Sequence, residues 1–403
     1  MAKKRKKRAS KKDAVEVDLH QQVDLLLADM NTHYEGRGRV RRASEYILPH
    51  LMRRCPSGFP SLDVATAGGL PSGTFVEIVG GPGTGKTELA TEYMAKQQEI
   101  FGDACALAAA MTEFHFDKMY AKRRGLRIAL SDEEIAAMER ADGEEYDAED
   151  VAYLKDQVGE FVEAFSPVAE AFWSMVVDFL VARFFKIILV DSLGSLMPMA
   201  EAEADMEDKH YAGSAGVNTA FFHKFHAAMG LEADGLPNET LVLGINQMRD
   251  NIGGGMFAPD YRIGGGNAKD HGKSACIMLR VGSRIRIEAA GQKGKRQVGK
   301  MVRWEILKGK HGFPEGATGE LRYLYSIGFD RAYDIVTESI LAGLIDKKGS
   351  WFSLAVDGAN FKAGDKMGQG DTKACEYLRA RPEIMEELYQ TLLSKAGVRC
   401  NVS

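Results

Sequence analysis

The chain has 403 residues, of which 45% are hydrophobic and 27% charged, and a formal net charge of −5. That is the make-up of a globular protein with room for one large core and a smaller domain. No apolar run approaches the roughly 20 residues a membrane span needs, and the basic start lacks the apolar stretch of a secretory signal, so no membrane association and a cytoplasmic location are expected.

The mean charge hides segregation. Residues 1–12 carry eight Lys/Arg and no acid, whereas residues 131–150 carry ten Asp/Glu against one Arg. Contact with a polyanion depends on local charge, so net acidity does not exclude nucleic acid. Residues 1–14 read as a basic tail, either solvated or touching phosphates. Over 15–30, Leu19, Val23, Leu26, Leu27 and Met30 share one helical stripe. This helix and its linker, 15–50, must pack somewhere, and a neighbouring subunit is one candidate.

A β-α-β pattern begins near Cys55, and a core is expected over 51–328. Strand 75–79 runs into GGPGTGKT at 80–87 and then a helix from Glu88. Between a buried strand and a helix, Gly80, Gly81, Pro82, Gly83, Thr84, Gly85, Lys86 and Thr87 make a phosphate loop. Glycines let backbone N–H groups face phosphate oxygens, Lys86 supplies a cation, and the Thr87 hydroxyl suits Mg²⁺. The helix N-terminus adds partial positive charge. ATP and Mg²⁺ are the expected cofactors.

A small-residue strand follows at 104–111, then an acidic insertion at about 126–157 and a helical stretch over 158–182. FKIILV (185–190) ends in Asp191, and a strand at 240–245 ends in Asn246-Gln247. Runs this apolar belong to parallel sheets covered on both faces. The loop from Ile252 to Gly266 (IGGGMFAPDYRIGGG) has glycines at both ends and Met256, Phe257 and Tyr261 within; loops this long are functional or disordered. Beyond Gly328 a small α+β domain, 329–403, is expected, with helices over 333–344 and 372–395. Five scattered cysteines without C-x-x-C spacing read as reduced thiols.

Polar residues at the C-terminal ends of parallel strands face the nucleotide crevice. Asp191 there suits Mg²⁺, with a helix cap or turn as the plain alternative. Glu113, after strand 104–111, is a candidate to activate water, with Asp117 and Glu88 as rivals. Gln247 can hydrogen-bond a γ-phosphate or simply end a strand.

Several stretches together resemble the RecA family of recombinases. They are SGFPSLD (57–63) through GGLPSG (68–73) to the phosphate loop, ILVDS (188–192), INQMR (245–249), GGNA (265–268), LIDKKGSWF (344–352), and MGQG (367–370) with EYL (376–378). Ordered matches run from about 15 to 397, interrupted by the acidic insertion. The resemblance implies an α/β fold: a RecA-like P-loop ATPase core with a mainly parallel central sheet, an N-terminal helix and a small α+β C-terminal domain. It implies that Glu113 is the catalytic glutamate, that Asp117 and Tyr120 hold adenine, that Glu88 follows the loop at the nucleotide, and that Gln247 senses the γ-phosphate. Lys308 and Lys310, otherwise a solvated strand end, would reach a neighbour's ATP. The glycine-bounded loop would bind DNA through Arg249, Phe257, Arg262, Gly265, Gly266 and Asn267, where Phe257 alone would read as a loop anchor. A first DNA loop would lie at 201–210.

The implied activity is DNA-dependent ATP hydrolysis coupled to strand exchange, in helical filaments of this chain on single-stranded DNA, with double-stranded DNA as the second partner. A RecA-fold hexameric helicase and a non-enzymatic DNA-coating protein are the alternatives. Gly216 and His223 stand where the family has phosphate-binding arginines. The proline in the loop, the acidic insertion and the basic tail are further departures. A divergent, phage-encoded member would fit them.

Overall fold

In a computed structural model, the structure describes residues 19–35, 40–42, 53–113, 115–143, 145–203, 213–230, 237–250, 261–264, 266–288, 295–310 and 313–398. The chain divides into two units, Met1–Leu48 and Pro49–Ser403.

In the first unit, helix α1 (Leu19–His33) buries none of its side chains. The chain folds back on it locally: the Asn31 side chain donates to Val40 O at 2.8 Å and accepts from Val40 N at 2.7 Å. The Arg42 guanidinium meets the Asp24 carboxylate and the His20 carbonyl.

The second unit opens with β1 (Arg54–Cys55), α2 (Pro60–Ala65), β2 (Leu70–Pro71), β3 (Phe75–Gly80), α3 (Lys86–Phe101) and β4 (Ala106–Met111). Next come α4 (Lys118–Lys122), α5 (Asp132–Asp142), α6 (Ala148–Lys155), β5 (Glu160–Phe165), α7 (Ala169–Ala182), β6 (Phe185–Asp191), α8 (Met199–Ala202) and α9 (Gly213–Gly230). Then follow β7 (Leu241–Asp250), β8 (Tyr261–Ile263), α10 (Gly266–Gly272), β9 (Ala275–Glu288), β10 (Lys295–Gly309), β11 (Thr318–Leu324) and β12 (Gly328–Phe329). The C-terminal part is α11 (Arg331–Leu341), β13 (Ile345–Lys348), β14 (Trp351–Leu354), β15 (Lys366–Gln369), α12 (Asp371–Arg379) and α13 (Pro382–Lys395).

The central sheet runs β12-β11-β10-β9-β3-β7-β6-β4-β5, with β8 beside β7. From β9 through β5 every pairing is parallel, while β10, β11 and β12 add antiparallel strands at one side. The α/β sheet is thus mainly parallel, and apolar layers cover both its faces. Leu89, Tyr93 and Met94 of α3 close one layer. Phe172 and Trp173 of α7 close the other with Phe221, Phe222 and Phe225 of α9, Trp173 stacking on Phe221 at 3.7 Å.

Three segments differ from the sequence expectation. The helix expected over 158–182 begins only at α7, because residues 160–165 are the edge strand β5. Gly159, at φ 62°, lies against the Cys105 carbonyl, and Pro167 follows, leaving too short a stretch for a helix. The helix expected over 372–395 is two helices, parted where Pro382 begins α13, since the residue before a proline is driven from the helical region. Within the expected loop 252–266, Tyr261–Ile263 pairs antiparallel with β7, while 251–260 lie outside the described residues. The acidic insertion has its own small core of Leu130, Ile135 and Leu154, and α5 begins with a Ser131–Glu134 capping box.

Buried carboxylates tie the C-terminal part to the core. Asp63 accepts from Ser57 N, Ser57 Oγ, Gly58 N and the Tyr389 hydroxyl, each at 2.8 Å. Asp334 accepts from Ser61 N at 3.0 Å, and burial lifts its carboxyl to about 7. Asp63→Ala strands several buried donors and is expected to cost about 2–4 kcal/mol, against about 1 kcal/mol for Tyr389→Phe. Urea unfolding measures both, and equal losses would mean that Asp63 does not anchor this junction.

Candidate functional site

Parallel pairing on both sides holds β3 so that Gly80 lies beside Gln247 of β7 and Leu279 of β9. A side chain at Gly80 would press its Cβ to 2.6 Å from the Leu279 carbonyl oxygen, so close approach dictates glycine there. Gly83 and Gly85 take φ of 65° and 91°, turning the chain into α3. The Lys86 ammonium donates to Gly81 O at 2.9 Å, lying across the loop where a triphosphate would compete for it. Burial pulls the Lys86 pKa down, and the Asp191 charge opposes this.

The Thr87 hydroxyl donates to the Asp191 carboxylate at 2.6 Å. Burial raises the Asp191 pKa, Thr87 and Lys86 lower it, and the charge of Glu113 raises it, so Glu113 is close enough to be felt. A hydroxyl and a carboxylate in contact, beside the lysine of a phosphate loop, are an oxygen donor pair that fits Mg²⁺. Glu113 is exposed just past β4, and Gln247 is exposed near the end of β7. The parallel strands therefore bring Lys86, Thr87, Glu113, Asp191 and Gln247 to one edge of the sheet.

Asp117 caps α4, accepting from Tyr120 N at 2.8 Å. The Tyr120 hydroxyl lies 3.3 Å from that of Tyr323, and the Arg124 guanidinium sits over the Tyr120 ring at 4.8 Å. The Glu88 carboxylate, at the start of α3, pairs with Arg124 Nε at 2.6 Å and accepts from the Tyr323 hydroxyl at 3.4 Å. A buried carboxylate needs such partners, and Arg124 offers a full charge. Sequence reasoning missed Arg124, Tyr323 and Lys300. The Lys300 ammonium reaches the Gly83 carbonyl from β10 and lies 4.8 Å over the Tyr323 ring, while its place in a strand reads as an ordinary exposed lysine. Thr112 was also missed; its hydroxyl accepts from Ser192 N at 2.9 Å and bonds Ser195 Oγ at 2.7 Å, bracing the backbone after Asp191.

Against this geometry, family models match the RecA N-terminal domain over 173–330, the RecA C-terminal domain over 334–397, and an ATPase model described as KaiC over 55–200. Protein RecA of a Thermus thermophilus strain is 30% identical over 364 residues, covering 90% of this chain and 91% of the relative. The chain belongs to the RecA family. Protein RecA of Thermus aquaticus is 30% identical over 363 residues, covering 90% of each chain, and that of Saccharopolyspora erythraea 27% over 381 residues, covering 94% of each. The site therefore lies in a RecA-type ATPase core.

The remaining candidates on this RecA-family chain lie elsewhere. The ammonium groups of Lys308 and Lys310 rest on the carbonyls of Asp270 and His271 at the end of α10, the latter contact at 2.8 Å, and not on their own chain's phosphate loop. Arg249 and Arg262 are paired partners of β7 and β8. Gly266 and Asn267 open α10, while Phe257 and Gly265 lie outside the described residues. Of the expected first DNA loop, only 201–203 are described. No helix of the described residues is long and apolar enough to cross a membrane.

Burial raises the Glu88 carboxyl to about 6 from 4.5. Its contribution to folding is thus most favourable below 4.5 and is lost as pH rises through about 6, so the ionised pair with Arg124 positions more than it stabilises. As pH falls from about 7.5 to about 5.5, protonation releases Arg124 from Glu88, and affinity for labelled ATP is expected to drop with a midpoint near 6. Glu88→Gln should lack that step; identical profiles would assign the titration to another group.

Proposed function

We propose that this RecA-family protein is an ATP-dependent recombinase that assembles head to tail on single-stranded DNA and exchanges strands with homologous duplex. The observation that carries this reading is the match to RecA over 90% of the chain, through the C-terminal domain as well as the ATPase core. An ATPase core alone would serve a ring-forming helicase equally well.

The loop N–H groups and Lys86 bind the β- and γ-phosphates, and Asp117 and Tyr120 hold the adenine. Thr87 and Asp191 would hold Mg²⁺, which would neutralise charge on the phosphates. Glu113 orients and deprotonates the attacking water, while Gln247 registers whether a γ-phosphate is present. Lys308 and Lys310 serve the site of the adjacent subunit, offsetting charge on the transferring phosphoryl in a water-poor interface. A head-to-tail interface whose rotation does not close propagates as a helix.

On the DNA side, Arg249, Arg262, Gly266 and Asn267 bring backbone and charge to the strand, and Phe257 supplies a stacking side chain. Strand exchange removes and restores stacking of about 1.4 kcal/mol per step, so ATP is not needed to drive pairing uphill. Its role is to select the DNA-binding assembly and, after hydrolysis, to release it. The reading also places the protein in the cytoplasm.

Electron microscopy with single-stranded DNA and a non-hydrolysable ATP analogue tests this directly. Helical filaments are expected, whereas closed rings would favour the helicase. A mixing experiment tests the interface. Lys86→Ala is expected to lose tight ATP binding, and the Lys308→Ala/Lys310→Ala double variant to bind ATP but hydrolyse it poorly. A chain without its own site can still lend lysines to a neighbour, so mixtures should regain part of the hydrolysis. A strictly additive mixture would place the lysines in cis.

A further inference from the structure

We infer that Glu77, together with Lys269 and Lys273, forms a positioning joint that couples the end of the glycine-rich run to the strand carrying the phosphate loop. Glu77 sits on β3, close before Gly80, and is fully buried. One carboxylate oxygen accepts from Asn246 Nδ2 at 2.7 Å and from the Lys269 ammonium; the other accepts from Lys273 Nζ at 2.6 Å. Lys269 and Lys273 are 2% and 4% exposed. Two ammonium groups thus share one buried carboxylate, and the exposed Asp270 balances the second at 2.7 Å from Lys273.

Burying such a cluster is costly, and apolar residues of similar volume commonly serve stability as well. What apolar residues would not supply is direction. The Gly264 carbonyl, just past β8, accepts from Lys269 Nζ at 2.5 Å and from Asn246 Nδ2 at 2.9 Å. Among the described residues no atom lies within 4 Å of where a Gly264 side chain would begin, and these two bonds hold its carbonyl. Both donors are anchored on Glu77. Asn246 also accepts from Gln247 N at 2.9 Å, so the same joint sets the backbone of the candidate γ-phosphate sensor.

Helix α10 extends the linkage. Its Lys269 is fixed to Glu77, while the carbonyls of its Asp270 and His271 receive Lys308 and Lys310. A displacement of Gly264 therefore acts on Gln247 through Asn246 and on the two lysines through α10. This joint rests on the recombinase reading, because it connects the proposed DNA segment to the proposed ATP site.

Lys269→Met is the informative substitution, because it cuts the charged one of the two bonds to Gly264 while leaving Glu77 paired with Lys273 and Asn246. The charge-balanced pair Glu77→Gln/Lys269→Met, in which Lys273 keeps Asp270, carries the test should the single variant fail to fold. ATP affinity without DNA should stay within about threefold of the unaltered protein, whereas stimulation of hydrolysis by single-stranded DNA should fall at least about tenfold. Linkage is reciprocal, so the gain in DNA affinity produced by a non-hydrolysable ATP analogue should shrink by about the same factor, a change that a merely structural role would not produce. Folded variants with undiminished stimulation and undiminished ATP-linked DNA affinity would overturn the joint alone. An unaltered protein whose hydrolysis ignores DNA would remove the recombinase reading and the joint with it.

Discussion

The parallel pairing of β3 on both sides governs the rest of the site. All six residues from Phe75 to Gly80 are buried, and β7 and β9 fix the height at which the strand stops. A phosphate loop has little stability of its own, since glycines give up more backbone entropy than other residues. Its conformation is imposed at its start by the sheet and at its end by α3, whose Leu89, Tyr93 and Met94 are buried. The same register sets Gln247 beside Gly80, and the β4–β6 pairing sets Met111 beside Asp191, so groups from distant parts of the chain reach one edge without any loop having to find the others.

Buried carboxylates recur where segments far apart in sequence meet. Asp63 joins the entry to the core with α13, Asp334 joins α11 with α2, Glu88 joins α3 with Arg124 and β11, and Glu77 joins β3 with β7 and α10. A carboxylate inside a protein is tolerated only with several donors, and those donors must be correctly aimed. An apolar contact permits sliding, whereas a carboxylate with three or four partners permits one arrangement.

Much of this was legible in the sequence. FKIILV followed by aspartate could hardly be anything but a buried parallel strand delivering a polar group to its end, and the glycine–lysine–threonine loop carries its own stereochemistry. Strand ends locate residues, but they do not tell where side chains point. Glu88 occupies a loop-adjacent position and nonetheless faces Arg124 and Tyr323, partners supplied by an element 36 residues on and another 235 residues on. Lys300 depends in the same way on a strand 217 residues from Gly83. The edge strand β5 was obscured because Phe161, Val162 and Phe165 fit either period over so few residues, although Gly159 and Pro167 marked its limits.

Phe329 gives the boundary between core and C-terminal part a different meaning. A side chain at Gly85 would bring its Cβ to 2.9 Å from the Phe329 ring, which itself packs edge-on against Tyr323 at 5.2 Å and Phe59 at 6.1 Å. The floor beneath the phosphate loop is thus laid by a residue that a cut after Gly328 would assign to the neighbouring domain. Shortening the chain there would open a cavity the size of a phenyl ring under the loop. Phe329 lies on β12, the last strand of the central sheet, so a boundary placed after residue 330, where the RecA N-terminal match ends, keeps this aromatic platform with the loop it supports.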